Sequence, residues 1–484
     1  MFDSKAAVQP AWSGAEGGFF HVFAGCEVRL PRSRTSATKG PASLAGGHDL
    51  SPVTQAHEAA PGELFGEAAS RCPPGIAAGR NLPGAAAFWM SGHKPTLIAA
   101  FLYFDASFMV WVLLGPLAPL ISQDLRLSGA QQGLMVALPS LAGAVLRLLA
   151  GLAADWIGAK RTGIVCQSVV IVGLLWAFGV GIQSYAGVLV LGLILGFAGA
   201  SFAVALPMAS RWYPPQYQGT ALGIAALGNS GSVLTALFAP MLAQRFGWNA
   251  VLGLSVLPLV VVLAVFVLGA KDGPHQRPGR SLSNYFVPLR TADAWWFMLL
   301  YGVSFGGFVG LAASLSSYFT DSYALTGVEA GYFTAACVLA GSLARPLGGA
   351  IADRIGGVNT LTTVYLLASA ALAAVGCGLS LAASLVGLIL AMLALGAGNG
   401  AVFQLVPQRF GAEMGLLTGL VGMGGGIGGF FLSFSLGLSL HFTGDYGVGL
   451  LLFAGLALVA LCGLTAVKHR WRATWGSAAA GIRI

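Results

Sequence analysis

The sequence predicts an all-α membrane protein: twelve transmembrane helices in two six-helix, pseudo-symmetric halves. Three observations predict it. Only 9% of the 484 residues are charged while 56% are hydrophobic, and 70 are glycine, a balance foreign to soluble domains. Twelve apolar spans follow residue 95, each long enough to cross a hydrocarbon core of about 30 Å with some tilt. The stretch Gly151-Leu-Ala-Ala-Asp155-Trp-Ile-Gly158-Ala-Lys160-Arg161 returns 198 residues later as Gly349-Ala-Ile-Ala-Asp353-Arg-Ile-Gly356-Gly357.

Residues 1–89 are rich in Gly, Ala, Ser and Pro, have no long apolar run, and carry seven basic and seven acidic side chains. A disordered extension is expected over 1–93. It lacks the basic start and apolar stretch of a secretory signal. Met90, which opens a short basic lead into the first span, is expected as the physiological start, the alternative being a real cytosolic tail. Spans 1–6 are expected at 96–121, 130–154, 161–182, 186–211, 217–244 and 249–270, making an N-terminal half over 94–270. The polar, basic, Pro-containing connection 271–293 divides the spans six and six. Spans 7–12 follow at 294–319, 327–352, 358–380, 384–408, 414–441 and 446–467, a C-terminal half over 294–467 with a tail at 468–484.

Basic residues sort the two faces. With the N-terminus inside, Lys94, Lys160, Arg161, Arg211, Arg354 and Arg409 all lie inward, and only Arg126 and Arg245 lie outward. This asymmetry predicts a multi-pass protein of the inner (cytoplasmic) membrane with both termini cytoplasmic. The net charge of +8 therefore serves topology, and nucleic acid is not an expected partner. The six cysteines show no CxxC pair or metal spacing, so neither a disulfide framework nor a metal site is expected.

Once loops and span ends are set aside, three ionisable residues lie inside the spans: Asp105, Arg147 and Arg345. Each arginine precedes its loop aspartate by eight residues, a helical rise of about 12 Å, against about 15 Å for half a bilayer core. A charge at that depth costs at least ~2.5 kcal/mol, and snorkelling does not reach from there. Asp105 lies at similar depth and offers one arginine a partner, leaving none for the other. An arginine stays charged and meets planar oxyanions with a two-pronged fork, so the pair points to an anion site between the halves. Spans 4 and 10 carry Phe202 and Phe403 among small residues, at places read as equivalent, where two rings could sandwich a flat ligand. Spans 5 and 11 carry Gly223-Ile-Ala-Ala-Leu-Gly228-Asn229-Ser-Gly231 and Gly419-Leu-Val-Gly422-Met-Gly424-Gly-Gly426-Ile-Gly428-Gly429. Such runs allow close backbone contact and sliding.

The repeated pattern of Gly151, Asp155, Gly158, Lys160 and Arg161, with Gly349, Asp353 and Gly356 in the second half, resembles the signature loop of the major facilitator superfamily. That likeness covers residues 94–470 and implies the major facilitator fold, with the loop as a gating element. Ser210-Arg211-Trp212-Tyr213-Pro214, Gly228-Asn229-Ser-Gly231, Ala344-Arg345-Pro346-Leu-Gly348-Gly349 and the span 11 glycine run resemble the nitrate/nitrite porter family. The resemblance implies that Arg147 and Arg345 clamp the anion, Phe202 and Phe403 stack on it, and Tyr301 and Asn229 donate hydrogen bonds. Asp105 matches no ligand role in that family and is the candidate proton carrier. The expected activity is nitrate and/or nitrite transport by alternating access, through proton symport or nitrate/nitrite exchange. The expected partners are nitrate, nitrite and protons, in a bilayer-embedded monomer with no cofactor. Alternatives are a carrier of formate, cyanate or an organic acid, and a non-transporting nitrate sensor. With no nucleophile–base pair or metal set, enzyme activity is not expected.

Overall fold

The computed structural model describes residues 85–273, 287–410 and 414–475. The extension over 1–84, most of the expected linker (274–286) and the end of the tail (476–484) lie outside the described residues. Twelve helical spans cross: Lys94–Leu125, Gly129–Ile157, Ala159–Val180, Tyr185–Ser210, Thr220–Phe246 and Trp248–Gly269, then Ala292–Tyr323, Gly327–Ile355, Gly357–Gly376, Leu381–Phe410, Leu417–Thr443 and Gly447–Thr474. They are called spans 1–12 below.

The repeat is visible in how the helices begin and end. Span 2 starts with a capping box in which Gln131 N–H donates to Ser128 Oγ at 3.4 Å and Ser128 N–H to Gln131 Oε1 at 2.9 Å. Span 8 starts identically, Glu329 N–H donating to Thr326 Oγ1 at 3.3 Å and Thr326 N–H to Glu329 Oε2 at 3.0 Å. Each box satisfies two backbone donors that a helix start leaves bare. Both spans then stop at a glycine, Gly158 with φ of +95° and Gly356 with +93°. That left-handed backbone excludes a Cβ cheaply only at glycine, and it lets the next helix start at once. Span 1 breaks between Trp111 and Leu114, because Pro116 has no N–H to offer Val112.

Lys94, Lys160, Arg211, Arg354 and Arg409 mark one end of the bundle, the basic end. At the other end the halves touch backbone to backbone. A Cβ on Gly133 of span 2 would stand 2.5 Å from Gly437 Cα of span 11, one on Gly115 2.2 Å from the carbonyl oxygen of Ala313, and one on Gly331 2.5 Å from that of Ala236. Towards the basic end, Gly151, Gly223 and Gly419 would meet nothing within 4 Å. The protein is thus closed at one end and open at the basic end. A small cavity enters there, lined by Gly151, Asp155, Pro207, Arg211 and Gly419 with Arg147 at its floor.

Two expected boundaries move. Residues 85–93 are not extension only: Ala85–Met90 is a helix, and the Phe88 ring stacks on Tyr213 at 4.8 Å and 14°, because a phenylalanine beside that apolar surface gains by burial. Span 12 runs past 467 to Thr474. There Arg470 and Trp471 Nε1 (2.9 Å) donate to Asp293 of span 7, which also accepts from Arg409 Nε at 2.7 Å. One buried carboxylate therefore joins spans 7, 10 and 12.

Candidate functional site

Arg147 and Arg345 converge on one aromatic enclosure in the middle of the bundle, 0% and 6% exposed respectively. The Arg147 guanidinium carbon lies 4.9 Å from the Trp111 ring, 5.2 Å from Phe202 and 5.1 Å from Phe305. That of Arg345 lies 6.0 Å from Phe202 and 5.8 Å from Phe305. Ring faces are electron-rich, so they soften the burial of two like charges without neutralising them. Among the described residues neither arginine has a carboxylate partner.

Carbonyl oxygens and a phenol hold the forks instead. Arg147 Nε donates to Gly199 O at 2.9 Å and Nη1 to Gly422 O, the second bond crossing from one half to the other. Arg345 Nη2 donates to Tyr301 Oη at 3.4 Å. Tyr301 accepts there and so keeps its own O–H to donate. One prong of each fork remains: Arg147 Nη2 and Arg345 Nη1 are buried with no hydrogen-bond partner. Two cationic groups beside a shared ring pair thus each keep a buried donor unbonded.

The sequence folds locally to make room for it. Gly199 sits where a Cβ would strike Trp111 at 2.5 Å, and Trp111 is fixed by its Nε1 donating to Pro139 O at 2.8 Å. Gly422 opens span 11 to the Arg147 side chain, an added Cβ lying 3.5 Å from Arg147 Cδ. The Major Facilitator Superfamily family model matches residues 97–433. The probable nitrate/nitrite transporter NarK2 of Mycobacterium tuberculosis is 35% identical over 393 residues, covering 79% of this chain and 98% of that one. The chain belongs to the nitrate/nitrite porter family of the major facilitator superfamily. A probable nitrate/nitrite antiporter, NarK1 of Thermus thermophilus, is 32% identical, with 68% of this chain and 82% of that one covered. The crystal structure of the human organic anion transporter MFSD10 superposes with a TM-score of 0.60 at 18% identity, over 77% of this chain and 99% of that one. At that identity it speaks for the fold alone: a multi-pass bundle of the facilitator type.

Phe403 and Asp105 are not among the groups described in contact with either guanidinium. The Phe403 ring meets Tyr301 edge-on at 5.0 Å and Phe202 at 5.8 Å. The second ring beside both guanidiniums is Phe305, one helical turn after Tyr301 on the same face of span 7. The reason lies in the repeat. At the offset of 198 that relates Arg147 to Arg345, Phe202 corresponds to Gly400 and Phe403 to Ala205, so the ring pair is not a symmetric one. The signal for Phe305 was its four-residue spacing from Tyr301. Trp111, the third ring, gave no signal in the sequence. Asp105 pairs with neither arginine but accepts from Ser230 Oγ at 2.8 Å.

Asn229 lies in the short 3-10 turn Leu227–Ser230 that interrupts span 5, buried, with both amide atoms unpartnered. In the loop of the first half, Asp155 accepts from Arg211 Nη2 at 3.3 Å. The helix after it starts at Gly158 with no side-chain cap. Lys160 N–H donates to Asp272 Oδ1 at 2.9 Å, and Arg161 is exposed. In the second half Arg409, the counterpart of Arg211, pairs with Asp293 and not with Asp353.

Proposed function

We propose that this porter carries nitrate and nitrite across the cytoplasmic membrane by alternating access, its basic end and both termini facing the cytoplasm. The observation that carries this reading is the pair of unpartnered prongs, Arg147 Nη2 and Arg345 Nη1, set against Phe202 and Phe305. A planar oxyanion bridges them, with Tyr301 and Asn229 as further donors. The ring centroids stand 6.1 Å apart at 46°. A flat ion between two rings needs ~3.5 Å on each side, so binding opens the rings by about 1 Å and draws them parallel.

Exchange is the mode the charges favour. An empty site holding two uncompensated guanidiniums repels itself as the halves close, whereas a bound anion neutralises part of that repulsion. Bringing a lone anion into an inside-negative cell costs about 2.3 kcal/mol per 100 mV, and nitrate/nitrite exchange is free of it. Proton symport is the second reading, supported by Asp105, a half-buried carboxyl at mid-span whose Ser230 partner adjoins Asn229. Proteoliposomes test both. Preloaded nitrite is expected to accelerate nitrate entry without a proton gradient, and a carrier that moves neither ion under any gradient refutes the reading.

A further inference from the structure

The clamp leaves one buried polar side chain of the second half without a role. Asn399 in span 10 is 0% exposed, yet neither its Oδ1 nor its Nδ2 has a hydrogen-bond partner among the described residues. Each such unbonded group is destabilising, a cost that an apolar side chain of similar size would avoid.

Helix geometry aims this amide toward the site. A Cβ on Gly400 would stand 2.2 Å from the carbonyl oxygen of Arg345, and one on Gly396 2.0 Å from that of Gly341. This turn of span 10 is therefore pressed onto the stretch of span 8 that presents Arg345. A Cβ on Gly398 would meet Ser304 of span 7 at 3.0 Å, three residues beyond Tyr301. Phe403 follows Asn399 by four residues, on the same helix face, and it touches both Tyr301 and Phe202. Asn399 is thus bracketed by residues that contact the site or carry it. Two buried donors on span 8, Arg345 Nη1 and Ser342 Oγ, are also without partners.

We propose that Asn399 is a further anion-contacting residue, the second-half partner of Asn229. Its Nδ2–H donates to the bound anion while its Oδ1 accepts from a donor of span 8. An anion accepts and never donates, so only the amide nitrogen can face it. The oxygen would repel the ion, so once the anion is bound it turns to Ser342 Oγ, leaving Arg345 Nη1 to the anion. Each half then brings one arginine and one asparagine, and the ion is met by donors from both sides. This assignment rests on the reading of the protein as a nitrate and nitrite carrier.

The test uses the purified full-length porter, with nitrate as the probe. Nitrate is expected to raise the Tm of the wild type, since a ligand bound only by the folded state stabilises it. Asn399→Leu removes both unbonded atoms at nearly constant volume, so its Tm without nitrate should equal or exceed the wild-type value. Its nitrate Kd should weaken at least tenfold. Asn399→Asp sets a carboxylate where the nitrogen stood, so nitrate binding should vanish at neutral pH and recover in acid as that group protonates. Wild-type nitrate Kd in the Leu variant, or in the Asp variant at neutral pH, overturns the proposal. So does a Leu variant that fails to fold, because the amide would then be bonded within the structure. A wild type that itself shows no nitrate response brings down the carrier reading instead, and the two failures are told apart by that control.

Discussion

Arg147 of the first half donates a hydrogen bond to the carbonyl oxygen of Gly422 in the second. A residue proposed to bind the anion thereby also links the two halves. The link is made from a glycine run, where span 11 carries no side chain to obstruct it, and it joins the halves at the floor of the open cavity. Anion arrival at Nη2 and loss or retention of this bond at Nη1 act on the same planar group, which ties occupancy to the relation between the halves.

The forks predict the first outcome. Arg147→Lys and Arg345→Lys keep the charge and lose the planar pair of donors. Each is expected to weaken nitrate binding by roughly 10- to 100-fold, the equivalent of one to two charge-assisted hydrogen bonds. Both proteins should still fold. Titration calorimetry checks it, and a Kd within threefold of wild type would remove that arginine from the clamp.

Rings give a contrast between neighbours. Phe202→Leu and Phe305→Leu take away flat faces that touch both guanidiniums, so discrimination between planar nitrate and pyramidal chlorate should fall several-fold. Phe403→Leu, at a ring outside those contacts, should change it little. Competition uptake in vesicles compares the three, and equal behaviour of Phe305 and Phe403 variants would undo the assignment of the second ring.

Asp105 separates the two modes of coupling. Because it bonds to Ser230 and to neither arginine, Asp105→Asn leaves the clamp charges untouched. Proton-driven nitrate uptake is expected to drop at least tenfold while nitrate/nitrite exchange stays within about twofold. Should gradient-driven uptake survive in the Asn variant, the carboxyl has no part in coupling.

The glycine contacts predict a shift between states. Gly133→Val places a side chain where Gly437 Cα lies 2.5 Å from the added Cβ, and overpacking of this kind costs about 1–3 kcal/mol. The closed end should open, shifting the ratio of states by roughly 5- to 150-fold. A cysteine introduced at Ser314 reports this through its rate of thiol labelling. Gly419→Ala, facing open space, should leave that rate unchanged, and an unchanged rate in Gly133→Val would mean this contact does not hold the end shut.

Much of the architecture was legible because hydropathy and duplication act over long stretches. The two arginines were legible for the same reason: depth in a span follows from counting residues to a loop. Facing direction does not follow from depth. Asp105 was placed at the right height, yet its partner is a serine of span 5, a choice made by the packing of span 1 into the notch of Gly228 and Gly231. Duplication misled where function is asymmetric. It found Arg345 from Arg147, but Phe202 has only Gly400 as its counterpart, and the missing ring came from span 7.

Asp293 turns the C-terminal end of span 12 into something other than an appendage. Because Arg470 and Trp471 converge with Arg409 on that one buried carboxylate, a chain cut after 467, or a reporter fused there, would leave Arg409 to hold that charge by itself and untie span 12 from spans 7 and 10. The last secure place for such an attachment lies beyond Thr474. In the first half Asp155 pairs with Arg211.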